Sequence, residues 1–270
     1  MPELPEMENY RIHLQQFITG KRIEKININR EKSINETPML FRKQTENHQV
    51  TGMKRRAKYL IFHLQNGSSL LLHLMLGGWM FYGSKAEKPD HKTQIEIVFD
   101  TDSYLYFFGL RLGYLHLLPA DQLEKELSEI GSEPFAGSFS QDFFTSQLKG
   151  KNGKLKAVLL DQHFVAGIGN RYSDEILWYA QLNPRRKASE LNWYEAGSLY
   201  QSIKYILQQA IQSGGYMDRP FFAGDNLTGG YKEKLKVHGR QGKPCPRCGT
   251  PIAEEKIASR RTSYCPGCQH

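Results

Sequence analysis

Cysteine is missing from the first 244 residues of this 270-residue chain; all four cysteines fall in the last 26. A disulfide framework is thereby excluded for most of the molecule, and the usage fits a reducing compartment. Long apolar runs are missing too, none reaching the roughly 18 residues that a membrane-spanning helix needs. Residues 1–20 carry three glutamates and no uninterrupted apolar stretch, so nothing reads as a signal peptide. A cytoplasmic protein is expected. Internal repeats and low-complexity tracts are also absent. Acidic charge runs short in one half only. Residues 1–150 hold 18 Lys/Arg against 18 Asp/Glu, and residues 151–270 hold 18 against 10, so the net charge of +8 belongs to the second half. Such one-sidedness favours a polyanionic partner, although basic proteins without one exist.

What is present suffices for a core, with 39% hydrophobic residues in a length that suits one large domain or two ordinary ones. Met7, Tyr10, Leu14 and Phe17 recur at helical spacing, which predicts a helix over 4–18. From residue 22 to about 117 the texture changes to short β-rich runs at 59–64, 69–73, 94–99 and 103–107, separated by turn signals such as Asn66-Gly67. Closely spaced short strands of this kind predict an antiparallel sandwich or barrel. Helical patterns return over 120–130, 141–148, 156–160, 171–179 and 190–213. The expected organisation is multidomain α+β: 1–132 as a helix on a β-sandwich, 133–230 as a helical domain, and 231–270 as a small strand-rich appendage.

Three local patterns bear chemistry. Pro2 follows the first methionine directly, and removal of Met1 would expose a secondary amine. Attack by such an amine on a sugar C1′, followed by ring opening, gives an iminium that needs no proton to stay charged and so acts as an electron sink. Glu3 adjoins it and can pass protons to a ring oxygen. The plainer reading is that proline and glutamates simply start a helix, where both are favoured. The second pattern is Cys245-Pro246-Arg247-Cys248, sixteen residues, then Cys265-Pro266-Gly267-Cys268. Paired C-x2-C ligands at this spacing predict a closed tetrahedral, structural Zn²⁺ site rather than a redox pair. Arg247, Lys256, Arg260 and Arg261 decorate it. The third is Gly167-Ile168-Gly169-Asn170 between two helical segments, where a helix N-terminus offers free N–H groups to a phosphate. A Gly-x-Gly alone is equally a turn.

Together these segments resemble the formamidopyrimidine-DNA glycosylase and endonuclease VIII family of repair enzymes over essentially the whole chain. Met1-Pro2-Glu3-Leu4-Pro5-Glu6 is similar to the start of the formamidopyrimidine branch. Lys54-Arg55-Arg56-Ala57-Lys58-Tyr59-Leu60 resembles the segment with the family's active-site lysine. Leu160-Asp161-Gln162 through Asn170 resembles its helix–two-turn–helix, and Arg260-Arg261-Thr262-Ser263-Tyr264-Cys265 its zinc-finger arginine loop. The resemblance implies a bifunctional glycosylase and AP lyase of base excision repair, monomeric, bacterial, cytoplasmic and nucleoid-associated, carrying one structural Zn²⁺ and acting on double-stranded DNA with a damaged base or abasic site. It implies Pro2, Glu3, Lys58 and Arg260 as catalytic residues. Glu6, Leu76, His91, Arg111, Leu112, Lys156, Asn170 and Tyr172 are the implied DNA-binding set, and the damaged nucleotide must leave the stack to be reached.

The chain departs from the family's pattern in places. Leu76 stands where a plugging methionine is usual, and Leu112 follows Arg111 where phenylalanine is usual. Gly214-Gly215-Tyr216-Met217 replaces Gly-Gly-Thr-Thr in the pocket loop. Asp174-Glu175-Ile176-Leu177-Trp178 and the ending Gln269-His270 lean towards endonuclease VIII. These departures keep a different class in play, a protein that binds abasic or distorted DNA without excising a base. A zinc-ribbon RNA-binding protein is the third reading.

Overall fold

The computed structural model describes residues 1–270, which divide into two compact units: Met1–Glu129 with Ser213–Gly230, and Ile130–Gln212 with Tyr231–His270. The first unit opens with helix α1 (Leu4–Ile18), capped by a reciprocal Glu3–Glu6 box. Two four-stranded antiparallel sheets follow. One runs β1 (Ile23–Ile28), β6 (Thr93–Phe99), β7 (Tyr104–Phe108), β5 (Trp79–Gly83); the other runs β2 (Val50–Arg56), β3 (Tyr59–Leu64), β4 (Ser69–His73), β8 (Tyr114–Leu118). Their inner faces share a core with Met7, Tyr10 and Leu14 of α1. The expected sandwich is therefore the architecture, not a barrel.

Strand β6 alternates buried and half-buried residues along its length, the period-two signature of a strand with one face on the core. Strand β4 is buried throughout. Helix α3 (Ala120–Leu127) covers its outer side, where Leu123 and Leu127 pack on Ile61, Leu71 and Leu118. A short helix α2 (Pro38–Thr45), with Pro38 in its first turn and Thr37 as cap, packs on β1.

Residues 213–230 lie with the sandwich rather than with the helical segment in which the sequence reading placed them. Phe221 is fully buried in the sandwich core, edge-on to Tyr10 at 5.1 Å, and Tyr82 N–H donates to the Phe221 carbonyl. The burial of one aromatic ring outweighs the chain continuity that suggested a single helical domain.

The second unit contains α4 (Gln141–Lys149), α5 (Leu155–Leu160), α6 (Asn170–Tyr179) and α7 (Trp193–Gln212), then the hairpin β9 (Ala253–Ile257) and β10 (Arg260–Tyr264). Ser140 caps α4, and Asn192 with Glu195 forms a capping box at α7. Helix α6 packs on α5, α7 and β10. No helix is long and apolar enough to cross a membrane.

Candidate active site

In the first unit the chemistry converges on the start of α1. Pro2 and Glu3 are buried there, Glu3 only 3% exposed. Glu6 holds them in place. Its Oε2 accepts the Glu3 N–H at 2.8 Å and its Oε1 accepts the Tyr216 N–H at 3.0 Å. Gly215 precedes Tyr216 with φ +71°, and a Cβ there would collide with the Glu6 carboxylate. Only glycine lets the backbone come this close. The Tyr216 hydroxyl donates to the Met1 carbonyl at 2.6 Å.

Lys58 sits in the two-residue turn between β2 and β3, closed by the Arg56–Tyr59 pair. Ala57 takes φ +52°, a left-handed conformation that costs an alanine about 1–2 kcal/mol. A latch offsets the strain. Glu8 of α1 accepts from Arg55 Nε at 2.8 Å, and Arg55 donates in turn to the Ala57 carbonyl at 3.1 Å. Burial raises the Glu8 pKa, but hydrogen bonds from Arg11 and Arg55 outweigh it and leave the carboxylate below its ordinary value. The helix that carries Glu3 thereby also fixes the turn that carries Lys58. His73 lies near this lysine: burial first, and then the Lys58 charge, push its pKa down to about 4. Its neutral Nδ1 accepts the Met75 N–H at 3.1 Å, tying β4 to the loop that follows.

Leu76 and Leu112 project from two neighbouring loops and are 61% and 62% exposed. The loops touch where Gly109, at φ +66°, meets the Gly77 carbonyl, a contact that a Cβ would abolish. Arg30 braces the second loop by donating to the carbonyls of Leu110 and Arg111, leaving the Arg111 side chain exposed. His91 packs edge-on against Trp79 at 5.5 Å.

In the second unit α6 is the organising element. Asp174 and Glu175, both buried, reach in different directions. Glu175 accepts the backbone N–H groups of Lys236, Val237 and His238. Burial nonetheless holds its pKa above the ordinary carboxylate value, against the pull of those three bonds. Asp174 takes the ammonium of Lys156 at 2.5 Å, His238 Nδ1 at 2.6 Å and the Ser263 N–H at 3.2 Å. Lys156 also donates to the Asn170 carbonyl and Ser173 hydroxyl, each at 2.7 Å. With no exposed side-chain surface, Lys156 corrects the expectation of a DNA contact: its charge is spent inside the fold. Tyr172, expected beside it, is also fully buried and packs on Tyr231 at 5.7 Å. Asn170 heads α6 and donates to the Arg261 carbonyl at 2.9 Å, joining the helix start to the hairpin. Arg260 is exposed just after a turn in which Ala258 and Ser259 both have positive φ.

The four cysteines are unpaired thiols whose Sγ atoms all lie within 4.8 Å of one another. Tetrahedral ligands at about 2.3 Å from Zn²⁺ stand about 3.8 Å apart. The Cys245–Cys268 and Cys248–Cys265 separations are 3.8 and 3.4 Å, so the donor set fits. These residues form one structural Zn²⁺ site. Trp178 of α6 donates its indole N–H to Cys245 Sγ at 3.4 Å, and Arg247 stacks over that indole at 4.1 Å.

Comparison with known proteins agrees with this layout in three consecutive segments. Residues 1–114 match the formamidopyrimidine-DNA glycosylase N-terminal domain, 130–219 its H2TH domain, and 242–270 the zinc finger found in FPG and IleRS. The chain is 36% identical to the formamidopyrimidine-DNA glycosylase of Pelotomaculum thermopropionicum, covering 100% of this chain and 99% of that protein. Identity to the Herpetosiphon aurantiacus enzyme of the same name is 35% with full coverage of both. The fold superposes on Lactococcus lactis Fpg bound to abasic-site DNA with TM-score 0.92, 32% identity and 99% coverage of each chain. The chain belongs to the formamidopyrimidine-DNA glycosylase family. Membership makes it a relative of base-excision repair glycosylases. Tyr216, which the sequence reading noted only as a departure, is the residue it missed: a single tyrosine in a loop carries no signal until the loop is seen folded onto α1.

Proposed function

We propose that this chain is a bifunctional DNA glycosylase and AP lyase that acts on duplex DNA containing a damaged base or an abasic site. The observation that carries the reading is the buried Pro2–Glu3 start of α1, held by Glu6, on the helix that Glu8 and Arg55 tie to the turn carrying Lys58. Once Met1 is removed, the Pro2 nitrogen attacks C1′, and the glycosidic C1′–N bond breaks with its electron pair leaving on the base. The departing base takes its proton from water. The N–H proton of the newly bonded proline passes to Glu3, which returns it to O4′ as the C1′–O4′ bond opens, giving an iminium between C1′ and Pro2. Its positive charge accepts the electrons released when the C2′ proton is abstracted, and the C3′–O bond breaks in β-elimination. Loss of the C4′ proton and cleavage of C5′–O complete δ-elimination, and water then frees the proline.

Lys58 serves the β-step and Arg260 the δ-step, each as a phosphate-holding cation. Arg111 addresses the orphaned base, while Leu76 and Leu112 fill the space that the flipped nucleotide leaves. Asn170, at a helix N-terminus, is suited to a phosphate. Zn²⁺ supplies no chemistry here: four protein ligands close its shell, and it fixes the hairpin that presents Arg260.

Borohydride trapping on abasic duplex tests the reading, with the protein's N-terminus verified by mass spectrometry. A covalent adduct that disappears in Pro2→Gly is expected. No adduct from protein that begins at Pro2 would overturn the reading in favour of a binder of abasic or distorted DNA.

A further inference from the structure

We propose that Tyr216 is a positioning residue for the Pro2 nucleophile, its phenol oxygen accepting the amine N–H and aiming the lone pair at the sugar. The inference rests on the reading of Pro2 given above and extends it to a residue in another part of the chain. The Tyr216 backbone and the Glu3 backbone are bound to the two oxygens of the same Glu6 carboxylate, at 3.0 and 2.8 Å. The phenol of Tyr216 is thereby directed at the Met1 carbonyl, 2.6 Å away. Across a peptide bond the carbonyl oxygen and the next nitrogen are about 2.3 Å apart, so the phenol oxygen lies within about 5 Å of the Pro2 nitrogen.

Removal of Met1 takes away the carbonyl that the phenol addresses and leaves the proline amine about 2.3 Å from where that oxygen stood, a gap that rotation of the Tyr216 side chain can close. The loop itself stays put. Asp225 accepts the N–H groups of Phe221, Leu227 and Thr228, Thr228 accepts from Asn9 of α1, and Phe221 is buried in the core. None of these contacts involves Met1.

A neutral secondary amine has one N–H and one lone pair. Holding the N–H on a fixed oxygen leaves the lone pair a single direction. As nitrogen bonds to C1′ it gains positive charge, and the N–H···O bond strengthens in the transition state more than in the ground state. The same bond favours the protonated amine over the neutral one, because a cationic N–H is the stronger donor.

Tyr216→Phe removes only the hydroxyl and leaves the backbone bond to Glu6 intact. Borohydride trapping of abasic duplex is measured against pH for wild type and variant, both verified to begin at Pro2. The expected plateau rate is about tenfold lower, the size of one hydrogen bond to a charged group. DNA affinity should be unchanged, and the acid limb of the profile should move to lower pH. A superimposable profile overturns the proposal. So does a slower rate with an unmoved acid limb, which would mark Tyr216 as a structural support only. Tyr216→Gln, which keeps an oxygen acceptor on a shorter chain, should recover part of the rate. Absence of adduct in wild type would instead overturn the Pro2 reading itself.

Discussion

Glu3 and Glu6 at the start of α1, and Asp174 and Glu175 inside α6, are all at least 97% buried, yet they are used differently. In α6 both carboxylates serve architecture: Asp174 is occupied by Lys156, His238 and the Ser263 N–H, and Glu175 by three backbone N–H groups. In α1 the division is unequal. Glu6 binds the N–H of Glu3, three residues away, and that of Tyr216, 210 residues away, and so holds Glu3 beside the terminus. The histidines follow the same contrast: His238 faces a carboxylate, whereas His73 faces a lysine. Burial of an acid therefore says little by itself. What surrounds it decides whether it stabilises a fold or readies a reaction.

The largest test of this contrast is removal of Zn²⁺. Thiolate coordination contributes about 10–16 kcal/mol in small zinc modules, so chelation should unfold 242–270 and abolish DNA affinity. Circular dichroism and calorimetry should show the sandwich transition, with its Glu3–Glu6 box, unmoved. Unchanged affinity after verified metal loss would refute the zinc-pinned presentation of Arg260.

Next in size is Lys156→Met, which leaves Asp174 buried without its cation and should cost about 3–5 kcal/mol in denaturant unfolding of the second unit. Lys156→Met combined with Asp174→Leu should recover more than half. If the single change is harmless, the pair is not structural.

A smaller effect belongs to pH in the first unit. With a folded pKa of about 4 against an ordinary 6.5, His73 stays neutral in the fold while the unfolded chain takes up the proton. Its contribution to stability is complete above pH 6.5 and is lost as pH falls towards 4, by up to about 3 kcal/mol. Protonation would also break the bond from Met75 N–H and loosen the Leu76 loop. Urea titrations at pH 7 and 4.5 should show wild type losing more stability than His73→Gln, and equal losses would remove His73 from the account.

Smallest is Glu6→Ala, which forfeits the cap and should lower the melting stability of the sandwich by about 1–2 kcal/mol. Trapping should fall by far more than that change in stability suggests. Proportionate losses would make Glu6 an ordinary cap.

Much of the fold was readable from periodicity. Helices over 4–18 and 141–148 match α1 and α4 closely because their apolar residues recur at helical spacing. Strands over 59–64 and 69–73 match β3 and β4 because short apolar, β-rich runs bounded by turn residues mark buried strands. Strand β2 escaped notice because Val50-Thr51-Gly52-Met53-Lys54-Arg55-Arg56 is mostly polar; only Val50 and Met53 are buried, and β3 supplies its pairing. Strand β8 was missed where tyrosine and histidine interrupt the leucines. Lys156 misled for a different reason. Sequence cannot distinguish a lysine reaching solvent from one neutralised by an aspartate eighteen residues away.

The sequence by itself determined the zinc ligands, since two C-x2-C pairs leave few other arrangements for four thiolates, and the order Pro2-Glu3, since adjacency along a chain is already geometry. Only the tertiary structure decided that residues 213–230 belong with α1, that Glu6 joins Glu3 to Tyr216, and that Lys156 is interior. Those outcomes depend on hydrogen bonds and buried rings between residues up to 219 positions apart. No local propensity encodes contacts of that range, because they form only when the whole core closes around them.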